Sequence, residues 1–246
     1  IWVLVNKAER VVIFFYDNGS RGRDVLTDFI GDAELKSIMS DGYNAYTFIG
    51  NELKAAETPN LSKTDHQVCL AHARAKFVKA SEQAGDKNAD IFIKYIEDLY
   101  NLERQYTKDN LTDEERGKQR QGLETKGILI NLRTHLGIEK SKDPATVTPY
   151  LQKALNYLDT FWTNIFTYIK DGSYPIDNNA AERAVRPLTT QRNNMLHFGS
   201  DEGAKMAATY HSIISTVKLQ GRSAWDYLGK FFVNIFNGCR DFFSMR

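Results

Sequence analysis

One stretch of this chain indicates both its chemistry and its fold, and it runs Asp177-Asn178-Asn179-Ala180-Ala181-Glu182-Arg183-Ala184-Val185-Arg186-Pro187. On a helix, Asn178, Glu182 and Arg186 share one face because they are spaced four residues apart. A carboxylate flanked by amides and guanidiniums suits metal-assisted chemistry on a nucleic-acid backbone. A simpler interpretation is local: Asn179 followed by Glu182 is a capping-box pattern, and Pro187 is predicted to end a short helix. The rest of the chain has to decide between the two.

The composition is that of a folded protein, with 42% hydrophobic and 26% charged residues and a formal net charge of +1 among 246 residues. Two segments, 66–79 and 183–197, contain basic residues and no acid. Such segments are expected where a surface meets phosphates, although ordinary solvated faces also contain them. The basic side chains are His66, His72, Arg74, Lys76 and Lys79 in the first segment and Arg183, Arg186, Arg192 and His197 in the second.

The two cysteines form no disulfide framework and favour a reducing cytoplasm. No apolar run approaches the ~20 residues of a membrane helix, so no membrane partner is expected. The chain opens on Ile1 without an initiator Met, inside a predicted strand. We therefore expect it to be a fragment of a longer protein.

Predicted strands cluster in the first eighty residues, and helices fill the remainder. β-branched and aromatic runs predict a hairpin from Ile1–Val5 and Val11–Tyr16, a strand at Leu35–Met39 and another at Gln67–Leu70. Helical periodicity dominates from about residue 81 to 172, and resumes after Gly203. This predicts an α/β protein with three parts: 1–80, a helical insertion at 81–172, and 173–246.

Asp41 follows the Leu35–Met39 strand and precedes a glycine. Open α/β sheets place functional groups at this position, although Asp-Gly is also an ordinary turn sequence. Glu182 can meet Asp41 only through tertiary folding. Two convergent carboxylates are the smallest protein contribution to a Mg²⁺ or Mn²⁺ site. In two-metal phosphoryl transfer, the ions lie ~3.5–4 Å apart.

Cys69 and His72 have the spacing of half a zinc site. A structural zinc needs four ligands, and no second Cys/His pair with suitable spacing follows in the sequence. A buried cysteine with a histidine at a strand end is the preferred interpretation.

Taken together, the motifs resemble the insertion-sequence-66 family of DDE transposases, in the order of that family, from about Tyr16 to Leu228. The segments that carry the resemblance are Asp41-Gly42-Tyr43, Cys69-Leu70-Ala71-His72-Ala73-Arg74-Ala75-Lys76-Phe77, the quoted stretch 177–187, Arg192-Asn193-Asn194 and Phe198-Gly199-Ser200.

The resemblance implies a ribonuclease-H-like mixed sheet with a large all-helical insertion and C-terminal helices. Asp41 matches the second acid and Glu182 the third acid of a triad that binds two Mg²⁺ or Mn²⁺ ions. Such enzymes hydrolyse the phosphodiester at transposon ends and use the freed 3′-hydroxyl to attack target DNA. Cys69 and His72 match a Cys-x-x-His signature with a structural or metal-proximal role.

The expected DNA contacts are made by cations near these acids, and the expected assembly is a homo-oligomeric synaptic complex. Companion proteins of the mobile element are further candidate partners, in a bacterial cytoplasm near the nucleoid. Asn178 and Asn179 are expected to orient Glu182 or the substrate. The predicted DNA-binding residues are Arg74, Lys76, Arg183, Arg186 and Arg192.

Two departures from the family pattern matter. The family's first catalytic Asp lies on a strand that precedes the one opening this chain, so neither has a match here. Asp17 is not a substitute, because it is predicted to lie in a turn. Asn193 stands where the family has a lysine. We therefore expect an inactive or severely impaired chain. A non-catalytic DNA-binding or assembly module of the same fold is one alternative, and a ribonuclease-H-like nuclease is another, which the helical insertion disfavours.

Overall fold

The computed structural model describes residues 1–20, 22–51, 58–195 and 198–241. The chain divides into two compact units. One unit combines residues 1–21 with 179–246, and the other comprises residues 22–178. The predicted division into 1–80, 81–172 and 173–246 stays a prediction.

The first unit is built on an antiparallel hairpin of β1 (Trp2–Asn6) and β2 (Val11–Phe15), as the β-branched runs predict. Its register pairs Trp2 with Phe15 and Asn6 with Val11. The turn predicted after the hairpin forms, with the Ser20 N–H donating to the Asp17 carbonyl at 2.7 Å.

Three helices complete this unit, numbered here by their order in the whole chain: α9 (Asn179–Met195), α10 (Asp201–Leu219) and α11 (Ala224–Phe236). Because alternate hairpin residues point to one face, Val12 and Phe14 pack in a small core with Leu188 and Ala208. None of the described residues of α11 is buried.

Side chains of α10 hydrogen-bond the outer edge of β2. The Val12 N–H donates to Thr216 Oγ1 at 2.9 Å, and the Phe14 N–H donates to Ser212 Oγ at 2.7 Å. A strand edge presents unpaired backbone groups, and here two hydroxyls on successive turns of a helix satisfy them.

The second unit begins with α1 (Arg23–Ile30), which ends at Gly31 with a φ of 55°. Two parallel strands follow, β3 (Ser37–Ser40) and β4 (Asp65–Val68), with the short α2 (Pro59–Ser62) between them. In their register Ser40 lies beside Val68, so both strands end at the same sheet edge.

A block of helices follows β4 and contains the larger hydrophobic core. Stacked rings of Phe77 and Phe92, with centroids 4.6 Å apart, lie in this core. The helices are α3 (Leu70–Ala84), α4 (Lys87–Lys108), α5 (Asp113–Arg120), α6 (Leu123–Lys140), α7 (Pro149–Thr160) and α8 (Trp162–Ile165), with 3₁₀ turns at Pro144–Thr146 and Phe166–Lys170.

The structure is α/β and mainly helical, and it differs from the sequence-based expectation in its sheets. Instead of one mixed sheet, the described residues form two two-stranded sheets, β1–β2 and β3–β4. The predicted strand at 67–70 ends earlier, at Val68, because Cys69 already caps α3. His72 therefore lies in the first turn of a helix and not at a strand end.

Pro187 lies inside α9 and does not end it. An interior proline removes one helical hydrogen bond and costs about 3 kcal/mol. The apolar side of the helix continues past it: Ala181 and Leu188 are buried, and Ala184 and Val185 pack against the hairpin core. Burial of this face offsets the cost.

Candidate functional site

Asp41 follows β3 directly, at the edge where both parallel strands end. Its carboxylate is exposed, and Oδ1 accepts a hydrogen bond from the Tyr43 N–H at 3.0 Å. Among the described residues, Oδ2 has no hydrogen-bond or ion-pair partner. A hard oxygen with a free lone pair at a strand end suits a Mg²⁺ or Mn²⁺ ion.

A buried polar pair lies directly behind Asp41. Ser40 Oγ and His66 Nε2 are 2.9 Å apart, and the Gly42 N–H donates to the same hydroxyl at 3.3 Å. Burial lowers the pKa of His66 to about 4, so the imidazole is neutral at physiological pH. The pair anchors the backbone on both sides of Asp41.

Cys69 connects the two parallel strands to the segment that precedes α9. Its N–H donates to the Ser40 carbonyl at 3.0 Å, and its buried sulfur accepts from the Asn178 N–H at 3.2 Å. Burial raises the pKa of this thiol, which keeps it protonated. A protonated thiol is a poor ligand for Mg²⁺, so these contacts favour a structural role for Cys69.

The predicted cations of α3 are already engaged within their own unit. Arg74 Nη2 lies 3.7 Å from Glu97 Oε2. The Lys76 ammonium lies 4.7 Å from the ring centroid of Tyr157. His72 is half-buried in the same helical turn.

In the other unit, the charged residues of α9 are exposed, whereas Ala181 and Leu188 on the same helix are buried. Glu182 lies in the first turn and is exposed. The side chains of Arg183, Arg186 and Arg192 are also exposed, and none of the three has a carboxylate partner within the described part of the chain. Unneutralised guanidiniums on one helix suit phosphate binding.

Arg186 also borders a shallow surface depression of about 660 Å³ along α9. Gln191 lines it too, and its Oε1 lies 2.6 Å from His211 Nε2 on α10. His197, which the sequence places in the same basic segment, lies outside the described residues.

Asp41 belongs to the unit of residues 22–178, whereas Glu182 and Asn179 belong to the other unit. The convergence of the two acids therefore stays a prediction, as do the roles of Asn178 and Asn179 toward Glu182. Asn178 does not lie on the helix, which begins at Asn179. The predicted face of Asn178, Glu182 and Arg186 is thus reduced to the last two.

Tyr157 contacts Asp41 and has no place among the residues predicted from motifs. It lies on α7, and its hydroxyl donates to the Asp41 carbonyl at 2.7 Å. One feature of the sequence could have indicated this contact: Tyr157 is an aromatic residue with a polar hydroxyl, beside the apolar positions of an amphipathic helix.

Residues 1–206 match the family described as Transposase IS66 family. The chain is 27% identical over 201 residues to uncharacterized protein y4jD of Sinorhizobium fredii (strain NBRC 101917 / NGR234), covering 82% of this chain and 38% of that protein. It is 28% identical over 231 residues to uncharacterized protein y4qI of the same organism, covering 93% and 41% respectively. The chain thus spans about two fifths of the length of these relatives. No solved structure matches it.

Helices long and apolar enough to cross a bilayer are absent from the described ranges.

Proposed function

Since this chain belongs to the transposase IS66 family, we propose that it is part of the catalytic domain of a DDE transposase. In this proposal Asp41 and Glu182 supply two acids of the metal site. The chemistry is phosphodiester hydrolysis at transposon ends, followed by transfer of the freed 3′-hydroxyl strand into target DNA. The observation that carries the proposal is the exposed Asp41 carboxylate at the shared end of two parallel strands.

In this reaction the acids, the arginines of α9 and His66 have different roles. When bound, a pair of divalent ions would activate the attacking oxygen and stabilise the leaving one. Asp41 and Glu182 would hold those ions through their carboxylate oxygens. The arginines of α9 would bind and orient the DNA phosphates, and a neutral His66 would hold the Asp41 backbone without adding charge.

A ribonuclease-H-like arrangement is part of the proposal. An antiparallel hairpin and a parallel pair are the pieces that such a mixed sheet contains. No residue of the chain is assigned to the first acid, and Asp17 lies beside the turn closed by Ser20. We therefore propose that the 246 residues alone are inactive or severely impaired in strand transfer, and that homo-oligomeric synapsis belongs to the complete protein.

A non-catalytic DNA-binding module is the second candidate function. The observation in its favour is the set of exposed arginines on α9, which could bind DNA whether or not Asp41 and Glu182 hold a metal.

Mn²⁺ titration of the chain, followed by electron paramagnetic resonance, tests the metal site. We expect Asp41→Asn and Glu182→Gln each to weaken Mn²⁺ binding by at least tenfold. Asp17→Asn is the matched control, an exposed acid that should leave the affinity unchanged. Equal affinity in all four proteins would contradict the metal site and favour the DNA-binding module.

A crystal structure after a Mn²⁺ soak gives the second test. Carboxylates of Asp41 and Glu182 within about 8 Å of each other would be close enough to serve two ions ~3.5–4 Å apart. A much larger separation in a well-ordered fold would exclude Glu182 as the partner of Asp41.

A further inference from the structure

The hydroxyl of Tyr157 reaches across 116 positions of sequence to the backbone of Asp41. It donates to the Asp41 carbonyl oxygen at 2.7 Å, an ordinary length for a well-formed O–H···O hydrogen bond. Tyr157 lies on α7 of the helical block, whereas Asp41 lies at the end of a strand. The helical block therefore contacts the peptide that carries the proposed metal ligand.

Gly42 leaves the space that this contact requires. Its φ is +80°, and a Cβ at this position would lie 2.8 Å from the Tyr157 hydroxyl oxygen and 3.3 Å from a ring carbon of Phe161. The two rings pack with centroids 5.0 Å apart. The peptide between Asp41 and Gly42 is thus held directly against the two aromatic side chains.

Lys76 fixes the Tyr157 ring from another side. Its ammonium lies 4.7 Å from the ring centroid, in cation–π geometry. A phenol is ordinarily protonated at neutral pH, so the Tyr157 hydroxyl can donate. The ring is therefore held in one orientation with its proton directed at Asp41.

The Asp41 backbone has further anchors in the preceding strand. The Ser40 carbonyl accepts from the Cys69 N–H, and the Ser40 hydroxyl accepts from the Gly42 N–H. Within the described part of the chain, only Tyr157 donates a hydrogen bond to the carbonyl oxygen of Asp41 itself. Rotation of this peptide would change the direction in which the carboxylate leaves the strand end.

We propose that Tyr157 is a positioning residue, which orients Asp41 for a divalent cation by holding its carbonyl oxygen. This inference rests on the proposed function of Asp41 as a metal ligand. Tyr157 does not contact the cation. It acts through the backbone geometry of Asp41, as groups beyond the direct ligands commonly do in metal sites.

The test compares Tyr157→Phe with Tyr150→Phe in Mn²⁺ titrations of the 246-residue chain. Tyr150 is a matched control, because it lies two turns earlier on α7 and also makes a cation–π contact. The Lys79 ammonium lies 5.3 Å from the centroid of its ring. We expect Tyr157→Phe to raise the Mn²⁺ dissociation constant on the order of tenfold. Tyr150→Phe should leave it unchanged, and the melting temperatures should agree within about 2 °C for all three proteins.

A double-mutant cycle separates positioning from a general loss of structure. If Tyr157 acts through Asp41, Tyr157→Phe should have no further effect on Mn²⁺ binding in the Asp41→Asn background. An equal effect in both backgrounds would overturn the inference, and so would a lowered affinity explained by a lower melting temperature.

The same titrations distinguish failure of the metal site from failure of the positioning role. If Asp41→Asn leaves Mn²⁺ affinity unchanged, the proposed metal site fails, and the inference fails with it. If Asp41→Asn weakens binding while Tyr157→Phe behaves as the unchanged protein, only the positioning role is wrong.

Discussion

Arg120 and Glu103 form a two-point ion pair in the interior of the helical block. Arg120 Nε lies 2.7 Å from Glu103 Oε1, and Nη2 lies 2.8 Å from Oε2. The remaining nitrogen donates to the carbonyl oxygens of Tyr168 and Asp171. A single guanidinium therefore connects α4 and α5 to the chain segment that follows α8.

Arg120→Ala is expected to lower the free energy of unfolding by about 3 kcal/mol, because it removes the two-point partner of the buried Glu103 carboxylate. The weaker pair with Arg116, at 3.5 Å, would be the one that remains. Arg120 is only 2% exposed. Lys118→Ala is the control, since Lys118 pairs with Glu114 at the surface and should cost less than about 1 kcal/mol. Urea denaturation measures both, and similar values for the two variants would contradict a stabilising role of the buried pair.

Stability is expected to fall as the pH drops from about 6.5 to about 4, because of His66. Burial lowers its pKa in the folded state to about 4 from an ordinary value of 6.5. Between these values the histidine of the unfolded chain binds a proton while folded His66 stays neutral. The stabilisation is therefore complete above pH 6.5 and is lost progressively down to about pH 4, where folded His66 also becomes protonated. The difference corresponds to about 3 kcal/mol.

His66→Gln should reduce this pH dependence, since glutamine does not titrate in the same range. His135→Gln is the control, because His135 lies at the surface of α6. Denaturation at several pH values between 4 and 7 measures the slope. An unchanged slope in His66→Gln would assign the pH dependence to other groups.

Gly42→Ala is expected to destabilise the second unit by about 1–2 kcal/mol, because a residue with a Cβ disfavours a positive φ. The new methyl group would also crowd the Tyr157 hydroxyl. Gly127→Ala on α6 provides the opposite control: its Cβ would meet nothing within 4 Å, and alanine should stabilise the helix by about 0.5–1 kcal/mol. Thermal melting of the two variants should therefore shift in opposite directions.

Arg186→Ala should weaken DNA binding and reduce the steepness of its salt dependence. Each phosphate contact contributes about 0.9 to the slope of log affinity against log salt concentration. Fluorescence anisotropy with a labelled duplex between 50 and 200 mM salt, the range over which such contacts show clearly, measures the slope. Arg133→Ala is a suitable control, because its guanidinium is paired with Asp159 at 2.7 Å. A slope that falls equally in both variants would argue against a specific role of α9.

Most secondary structure follows from local patterns in this chain. The hairpin, α4 and α10 are confirmed, because alternation and helical periodicity reflect which faces are buried. Pro187 in α9 is the exception. The free energy lost by placing a proline inside the helix is smaller than the free energy gained by burying a continuous apolar face. The highly charged stretch 109–121 contains the buried Arg120, because its partner Glu103 lies on another helix.

The candidate site was predictable only in part. Asp41 is recognisable from a strand end followed by glycine, and Glu182 from a motif shared with a family. The supporting roles of Ser40, His66 and Tyr157 were not recognisable, since these residues contact the Asp41 region from separate elements of the fold.

The sequence alone determined the family, the order of strands and helices, and the residue types available for binding metal and DNA. Those properties depend on the spacing of residues that are close together in sequence. Only the tertiary structure decided that Arg120 is buried, that His66 is neutral and that a tyrosine of the helical block holds the backbone of Asp41. These outcomes depend on contacts between residues far apart in sequence, and such contacts are determined by packing and burial.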